Sequence, residues 1–485
     1  GAVIDVRDAA PSACNPDAVS GTSTDGPNVD SCSVKKPAAP AVKAAEIKSC
    51  PSRSARKGTN KHPGVMRRES WVAPLSFTSR FTLSPHNTPP VISATWANEN
   101  SMALFSQAEA LKWCHPHRPP DLYDVFMTNR QRLVVLFGGR SAEHDVSCVS
   151  ARHVLAAVDA EKYDVISVGI NRDGHWSLAT AAAEALAADD LPEALDPSGP
   201  TWDPLPELRK LAAAGPVVVF PLLHGPLGED GTMQGLLEIA DVPYIGSGVL
   251  GSALAMDKLA AKDILAHHGI DQARHRSLHA DDLPTAGSEA AQALMASLLA
   301  DLGPVVFVKP ANMGSSIGVS RATDALTLQS ALATAATYDQ WILVEEAIVG
   351  REIELAVLGN RRPQVSGPGE ICPGAEFYDY DDKYADGADL VLDPDLDPEL
   401  VVELQTTAAQ AYLALRCAGM ARVDFFVADD GRVILNEVNT IPGFTPISMY
   451  PRLWLNAGLS YPGLIDRLVD LALERHTTQR HNTAR

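Results

Sequence analysis

The stretch RVDFFVADDGRVILNEVN, residues 422–439, carries the strongest fold signal in this chain. Two mostly apolar runs flank Asp430-Gly431, a dipeptide that favours a two-residue hairpin turn because both central positions need positive φ. Such a turn predicts three cross-strand pairs: Asp429 with Arg432, Asp424 with Glu437, and Arg422 with Asn439. The segment is therefore predicted to be an antiparallel β-hairpin with polar residues opposite one another.

Side chains alternate between the two faces of a strand, so the four polar residues of the inner pairs share one face. The other face is predicted to be core: Val423, Val427, Ile434 and Val438, with Phe425 opposite Asn436. Opposed carboxylates repel each other, and a divalent cation turns that repulsion into binding. A solvated hairpin edge with scattered charges is the alternative. The metal site is favoured only if the rest of the chain supplies a phosphate-binding set.

Composition narrows the class of protein. The chain has 485 residues, of which 21% are charged, and its net charge is −20. This length allows two to four domains, and the acidic balance argues against a general nucleic-acid binder. No apolar run of about 18 residues predicts a membrane span. Seven cysteines without CxxC spacing predict neither a zinc site nor a disulfide framework, and they fit a reducing cytoplasm.

Residues 1–126 differ from the remainder. They are rich in Ala, Ser, Pro and Asn, are slightly basic and show little hydrophobic periodicity. This pattern predicts a disordered or non-native extension, with a targeting peptide as the alternative. The working part of the protein is expected to start near Met127.

From Met127 onward, strands alternate with helical stretches. Short apolar strands are predicted at residues 133–137, 163–168 and 217–220, with a helix from about Asp145 and a less regular insertion at 173–215. This order is typical of an open α/β sheet that binds ligands at its strand ends. A helix at 251–268 with a stop at Gly269, strands at 305–309, 341–345 and 352–358, and a helix at 399–418 lead to the hairpin.

Two segments could bind a nucleotide. Lys309 ends a strand and is followed by Gly314-Ser315-Ser316, whose backbone N–H groups and hydroxyls suit phosphate oxygens. The spacing is not that of a Walker A loop, and an ordinary turn is the alternative. Lys258 is a second candidate cation. The strand 341–348 ends in carboxylates, so it suits an adenine edge and a ribose, or equally a plain strand and turn.

Three further segments look functional. Glu143 follows the first strand within GGRSAEHDVS, residues 138–147, and suits a ligand ammonium group; the dinucleotide spacing is absent. HGPLGEDGTMQG, residues 224–235, has four glycines, which indicates close backbone approach, and His224 is expected to orient a neighbour by hydrogen bonding. The aromatic and charged segment 377–384 is typical of a mobile lid or of an exposed loop.

Together these motifs resemble the D-alanine–D-alanine ligases of the ATP-grasp superfamily. The resemblance runs from about residue 131 to 472. Its most specific parts are H-G-x-x-G-E-D-G at residues 224–231 and R-x-D…E-x-N-x-x-P-G at residues 422–443. It implies an α/β (α+β ATP-grasp) fold, in which an N-terminal open parallel α/β domain, residues 127–250, precedes a two-subdomain ATP-grasp fold. The subdomains are expected at 251–345 and 346–475, with a flexible tail at 476–485.

The resemblance also implies roles for individual residues. ATP, as co-substrate, is bound at its phosphates by Lys258, Lys309, Lys383, Gly314, Ser315 and Ser316, and at its adenine and ribose by Glu345, Ala347, Ile348 and Glu352. Two Mg²⁺ or Mn²⁺ ions are held by Asp424, Glu437 and Asn439. The first D-alanine places its ammonium group at Glu143, which Ser315 and Tyr384 join by hydrogen bonds. The remaining roles are an oxyanion site, Arg422 with the Gly443 N–H, and substrate contacts by His224, Ser448 and Met449.

The implied reaction joins two D-alanines through a D-alanyl phosphate and serves peptidoglycan synthesis. Two alternatives remain: a D-alanine–D-serine or D-alanine–D-lactate ligase, and a non-catalytic ATP-grasp protein. Tyr384 favours an amine acceptor over lactate. The expected partners are D-alanine and ATP, in a cytoplasmic homodimer without nucleic-acid or membrane binding.

Overall fold

The computed structural model describes residues 130–372 and 389–480 of the chain. Within these ranges, three β-sheets follow one another along the sequence. No helix in this part of the chain is long and apolar enough to cross a membrane.

The first sheet has the strand order β3-β2-β1-β4. Its strands are β1 Gln131–Gly138, β2 Tyr163–Ile170, β3 Trp176–Leu178 and β4 Val217–Pro221. The helices of this region are α1 His144–Ala157, α2 Thr180–Ala187, α3 Pro204–Ala214 and α4 Thr232–Ala240. β1 is parallel to β2 and β4, whereas β3 is antiparallel at the edge. The predicted open parallel sheet is confirmed, and β3 is an additional strand inside the segment expected to be helix and loop.

The second sheet is antiparallel, with the order β5-β8-β6-β7. Its strands are β5 His275–His279, β6 Val306–Pro310, β7 Ser320–Ala322 and β8 Trp341–Glu346, and the helices are α5 Val249–Met256, α6 Lys258–His267, α7 Glu289–Leu302 and α8 Ala325–Ala335. The single helix expected at 251–268 is two helices, because the Asp257 side chain caps α6 by accepting the N–H groups of Leu259 and Ala260. Gly269, at φ +72°, follows α6 as predicted.

The third sheet has the order β11-β10-β9-β12-β13 and is antiparallel throughout. Its strands are β9 Gly350–Gly359, β10 Gln364–Cys372, β11 Asp389–Leu392, β12 Gly419–Ala428 and β13 Val433–Asn439. The helices here are α9 Pro398–Ala414, α10 Met449–Asn456 and α11 Tyr461–Arg480. Because α11 runs to residue 480, the tail predicted to begin at 476 starts inside a helix.

The β12–β13 hairpin has the predicted inner pairs but a different turn. The Ala428 N–H donates to the Arg432 carbonyl at 3.0 Å, so the loop holds three residues, 429–431, and Gly431 adopts φ +84°. The expected pairing of Asp429 with Arg432 is wrong. A β-bulge after Asp424 makes Asn436 an extra residue in β13. The bulge restores the predicted register, so Asp424 pairs with Glu437 and Arg422 pairs with Asn439.

The bulge also changes which residues share a face. Phe425 pairs with Leu435 and Val427 pairs with Val433, so these four residues form the core face of the outer hairpin. Ile434 pairs with Phe426 and lines a cleft on the other side, which corrects its assignment to the main core. Asn436, expected opposite Phe425, lies on the cleft side beside Glu437.

One hydrophobic core connects the first sheet with the end of the described chain. Leu133, Val135 and Phe137 of β1 belong to the same buried cluster as Leu464 and Leu468 of α11. Lys162 donates to Asp466 at 2.6 Å, and Arg475 lies over the Tyr244 ring at 4.0 Å from its centroid. The C-terminal helix therefore completes the packing of the N-terminal sheet.

Candidate active site

Two adjoining cavities contain most of the predicted site residues. The larger, of about 570 Å³, is lined from the second and third sheets, including Lys258, Lys309, Ser316, Glu345, Ile348 and Glu352. The smaller, of about 100 Å³, is lined by Glu143, His224, Arg422, Asn439, Gly443, Ser448 and Met449. Gly314, Ser315 and Glu437 line both. Ala347 and Asp424 line neither cavity, and the Ala347 N–H donates to the Val305 carbonyl at 3.2 Å.

Glu143 lies between the end of β1 and the start of α1, and it is 5% exposed. Its Oε1 accepts the Ser315 hydroxyl, a bond that the family resemblance implied. Its Oε2 is buried without a hydrogen-bond partner among the described residues. A Cβ at Gly225 or Gly314 would come within 2.3 or 2.9 Å of Oε2, so a side chain at either position would displace the carboxylate. A buried carboxylate oxygen without a donor is a strong acceptor for a cationic ligand.

The Gly314-Ser315-Ser316 loop has an unusual backbone. Ser315 and Ser316 adopt φ +49° and +58°, in the left-handed region that non-glycine residues rarely occupy. The Ile317 N–H donates to the Gly314 carbonyl at 3.0 Å, and the Lys258 ammonium donates to the Met313 carbonyl at 2.5 Å. Consecutive strained residues held by their surroundings are typical of functional loops.

Lys309, which is partly buried, belongs to a row of three charged side chains with the buried Glu345 and Lys262. Glu345 contacts Lys309 with one carboxylate oxygen and Lys262 with the other, each at 2.6 Å. Burial alone would raise the pKa of Glu345, but the charges and hydrogen bonds of Lys309 and Lys262 hold it at about 2. Lys309 also donates to Asn436 at 3.3 Å. The row carries two positive charges and one negative charge, and its members Lys309 and Glu345 line the larger cavity.

Three carboxylates lie side by side across the third sheet. Asp424 pairs with Glu354 of β9 on one side and with Glu437 of β13 on the other. Two cations are close to this row: Lys258 lies 3.9 Å from Glu437, and Arg422 lies 3.1 Å from Glu354. The two carboxylates and the amide of the hairpin supply hard oxygen ligands, which suit Mg²⁺. No cluster of three His, Cys, Asp or Glu side chains with metal-binding geometry occurs among the described residues.

Arg422 and Asp424 are in direct contact. The guanidinium donates to both oxygens of Asp424 at 2.8 Å, and the Asn439 amide donates to Asp424 at 2.9 Å. Burial alone would lower the pKa of Arg422, but Asp424 and Glu354 raise it well above its ordinary value. The oxyanion group and the metal ligand expected from the sequence thus form one charged pair, in which a bound cation would compete with Arg422 for Asp424.

His224 and Glu229 come from the glycine-rich segment after β4. His224 Nδ1 lies 3.0 Å from the Ile441 carbonyl, and Nε2 lies 3.2 Å from the Ser150 hydroxyl. Burial, the main cause, lowers the pKa of His224. Glu229 accepts the Gly225 N–H at 2.9 Å; burial, followed by the charge of Glu143, raises its pKa to about 8. His224 thus makes the expected orienting hydrogen bond, and the acceptor is the backbone carbonyl of Ile441.

The end of the site is formed by the turn before α10. The Ser448 hydroxyl lies 2.8 Å from the Thr445 hydroxyl and accepts the Thr445 N–H at 3.0 Å. A Cβ at Gly443 would come within 2.7 Å of the Ser448 hydroxyl, so a side chain at this position would displace that hydroxyl. Ser448 is the N-cap of α10 and Met449 its first residue, and the N-terminal end of a helix favours an anionic ligand.

Two predicted site residues lie outside the part of the chain that the structure describes, and the sequence analysis missed several residues that the structure places at the site. The predicted lid residues Lys383 and Tyr384 lie outside the described residues. Sequence reasoning did not select Lys262, Ser150, Glu229, Glu354 or Asn436. The sequence could have indicated Glu354, because it lies two residues after the predicted site residue Glu352. Residues two apart on a strand share a face, as Arg422 and Asp424 do. Lys262 lies one helical turn after Lys258, which would have placed it on the same side of α6.

The three-sheet order and the lysine- and carboxylate-lined cleft define an ATP-grasp enzyme. Two family models match, "D-ala D-ala ligase N-terminus" at residues 132–247 and "D-ala D-ala ligase C-terminus" at residues 264–470. The chain belongs to the D-alanine–D-alanine ligase family, as the sequence resemblance implied.

Relatives and solved structures agree with this membership. The chain is 46% identical to D-alanine–D-alanine ligase A of Chromobacterium violaceum, covering 71% of this chain and 95% of the relative. It is 42% identical to the D-alanine–D-alanine ligase of Oceanobacillus iheyensis, covering 72% and 96%. The structure of the Coxiella burnetii D-alanine–D-alanine ligase matches with a TM-score of 0.59 at 33% identity, covering 73% and 98%. That of the Enterococcus faecalis VanG D-Ala:D-Ser ligase matches with a TM-score of 0.60 at 33% identity, covering 71% and 100%.

Proposed function

We propose that the protein joins two molecules of D-alanine in an ATP-dependent reaction that supplies D-alanyl-D-alanine for peptidoglycan synthesis. The observation that carries this proposal is the position of Glu143. Its unpartnered, buried Oε2 lines the same small cavity as Arg422 and Gly443, next to the lysine-lined cleft. An amino acid whose ammonium group binds Glu143 would thereby place its carboxylate near a phosphate donor.

The first step is phosphoryl transfer. In this proposal the larger cavity binds ATP, with adenine and ribose near Glu345, Ala347, Ile348 and Glu352, and phosphates near Lys258, Lys309 and the 314–316 loop. A carboxylate oxygen of the first D-alanine attacks the γ-phosphorus, the bond to the β,γ-bridging oxygen breaks, and ADP leaves. The lysines stabilise the charge on the transferred phosphoryl group. Lys383 and Tyr384 of the lid would exclude water from the acyl phosphate.

The second step forms the peptide bond. The amine of the second D-alanine, held by its carboxylate near Ser448 and Met449, attacks the carbonyl carbon of the acyl phosphate. Negative charge develops on the carbonyl oxygen, where Arg422 and the Gly443 N–H donate hydrogen bonds. Inorganic phosphate then leaves, and the nitrogen loses a proton. The products are D-alanyl-D-alanine, ADP and phosphate.

Divalent cations fit the hairpin face. Asp424, Glu437 and Asn439 would hold two Mg²⁺ or Mn²⁺ ions, which supply charge neutralisation for phosphate oxygens when bound. A bound cation at Asp424 would release Arg422 toward the substrate. Chelation with EDTA should therefore abolish activity, and added Mg²⁺ should restore it.

The direct test is a product assay. Purified protein with Mg-ATP and D-alanine should form D-alanyl-D-alanine and ADP in equal amounts, measured by mass spectrometry and a coupled ADP assay. ADP formation should require D-alanine. If the folded protein yields no dipeptide under these conditions, the assignment is wrong.

A second acceptor is worth testing because one matched structure is a D-Ala:D-Ser ligase. In competition assays D-alanine should be the preferred acceptor over D-serine and D-lactate. A preference for D-serine would move the protein to that activity. We further propose that the protein acts in the cytoplasm, which its seven cysteines without CxxC spacing fit, and that it forms a homodimer, which the family resemblance implies.

A further inference from the structure

The segment 441–444 follows β13 and precedes the turn before α10, and it contains the proposed oxyanion donor. The Gly443 N–H makes no hydrogen bond within the described ranges, and Gly443 lines the smaller cavity. An N–H group can stabilise an oxyanion only if it is aimed at the reacting oxygen before reaction. What fixes the residues around Gly443 therefore matters for the second chemical step.

The carbonyl two residues before Gly443 is held from the first sheet. The Ile441 carbonyl can only accept a hydrogen bond, so His224 must carry its proton on Nδ1. In the neutral imidazole Nε2 is then an acceptor, and the Ser150 hydroxyl must donate to it. His224 is 5% exposed, so its ring has little access to water as an alternative partner.

The residue after Gly443 is held by the same pair. The Phe444 N–H donates to the Ser150 hydroxyl oxygen at 3.3 Å, while that hydroxyl donates onward to His224. A single chain of hydrogen bonds thus runs from the Phe444 N–H through Ser150 and His224 to the Ile441 carbonyl. The two backbone groups at its ends lie on either side of Gly443, and both side chains come from the N-terminal sheet region.

We propose that His224 and Ser150 are positioning residues that hold the 441–444 segment so that the Gly443 N–H points at the oxyanion of peptide-bond formation. This inference rests on the proposed function. It assigns part of the H-G-x-x-G-E-D-G motif and a serine of α1 to the second chemical step rather than to substrate binding. Phosphoryl transfer, which takes place at the lysine cleft, does not depend on the hydrogen-bond chain.

The test separates the two chemical steps in His224→Ala and Ser150→Ala. Dipeptide formation should fall by roughly 10- to 100-fold in His224→Ala, since loss of one oxyanion donor costs at least that much. The KM for ATP should stay within about twofold, because that substrate's contacts are unchanged. ADP release should exceed dipeptide formation, and added hydroxylamine should trap more of the acyl phosphate as D-alanine hydroxamate than in the wild-type protein. Ser150→Ala should show the same pattern more weakly.

Ser147→Ala is the matched control. Ser147 lies one turn earlier on α1, is fully buried, accepts the Gly138 N–H at 2.8 Å and donates to the Leu222 carbonyl at 2.5 Å, but does not contact the 441–444 segment. Its melting temperature should fall as in Ser150→Ala, while ADP and dipeptide stay equal. If ADP and dipeptide fall together in the His224 and Ser150 variants, the inference is overturned.

His224→Asn keeps the test decisive if His224→Ala folds poorly. The asparagine amide can still donate to the Ile441 carbonyl but cannot reach Ser150, so its ADP excess should lie between those of the wild-type protein and His224→Ala. Equal ADP and dipeptide in folded His224→Asn and Ser150→Ala would contradict the proposal. A wild-type protein that makes no dipeptide would instead contradict the proposed function.

Discussion

Glu229 is a buried carboxylate that has a second buried carboxylate, Glu143, in its surroundings. Burial and the charge of Glu143 raise its pKa to about 8, although hydrogen bonds from the backbone at Gly225 and Ile441 act in the opposite direction. Glu437 adds a smaller repulsion. At neutral pH Glu229 is therefore mostly protonated and adds little negative charge beside Glu143.

The raised pKa predicts a pH-dependent stability. The pKa of Glu229 in the folded protein, about 8, lies above its ordinary value of 4.5, so protonation favours folding. Its stabilising effect is complete below pH 4.5 and is lost as the pH rises through 8. The glutamine in Glu229→Gln is always neutral, so this variant does not lose stability in that way. The melting temperature of Glu229→Gln minus that of the wild-type protein should therefore increase between about pH 5 and pH 9.

Calorimetry at a series of pH values, without ligands, measures this difference. Glu161→Gln is the control, because Glu161 is an exposed glutamate and the chemical change is the same. Its melting curve should follow the wild-type protein at every pH. A constant offset between Glu229→Gln and the wild-type protein would contradict the raised pKa.

At the scale of elements, the hairpin shows what a local pattern predicts. The inner pairs of Asp424 and Arg422 were predicted correctly, although the turn was not. The loop is one residue longer than Asp430-Gly431 predicts, and the bulge at Asn436 adds one residue to the opposite strand. The two departures cancel at the polar end of the hairpin. A polar residue next to Glu437 carries no local signal for a bulge, because its cleft-side partner, Lys309, is 127 residues away.

Removing the bulge residue should separate fold from function. Deletion of Asn436 gives a regular hairpin that keeps Asp424 opposite Glu437, so the protein should fold. The deletion removes the Asn436 contact to Lys309, and a hydrogen bond to a charged group is worth about 1.5 kcal/mol or more, or roughly tenfold in the KM for ATP. Deletion of Asp430 in the exposed loop is the control, and it should leave the KM for ATP unchanged. Equal effects of both deletions would show that the bulge does not serve the cleft.

The contact between Arg422 and Asp424 was beyond the sequence pattern. Spacing placed both on one face of β12, but it could not show that the guanidinium folds onto the carboxylate. Glu354, which comes from β9 about 70 residues earlier, also lies 3.1 Å from the Arg422 Nε that donates to Asp424. Sequence motifs thus predict the members of a charged site better than the pairs that they form.

At the scale of the whole molecule, the family match begins at residue 132. The sequence predicts that residues 1–126 are dispensable for the reaction. A chain that starts at Met127 should keep the kcat and KM values of the full chain within about twofold, measured by ADP release. A loss of activity beyond tenfold at an unchanged melting temperature would show that the extension contributes to catalysis.

The shared core of β1 and α11 has a consequence for protein synthesis. Phe137 emerges from the ribosome more than 300 residues before Leu464 and Leu468, the partners of its cluster. Translation adds about 5–20 residues per second, so the apolar face of the first sheet lacks those partners for roughly 15 to 65 s. During that interval the nascent chain exposes an incomplete sheet, so chaperone binding should concentrate on the N-terminal half. A stop codon before residue 461 should yield an insoluble product rather than a smaller folded enzyme.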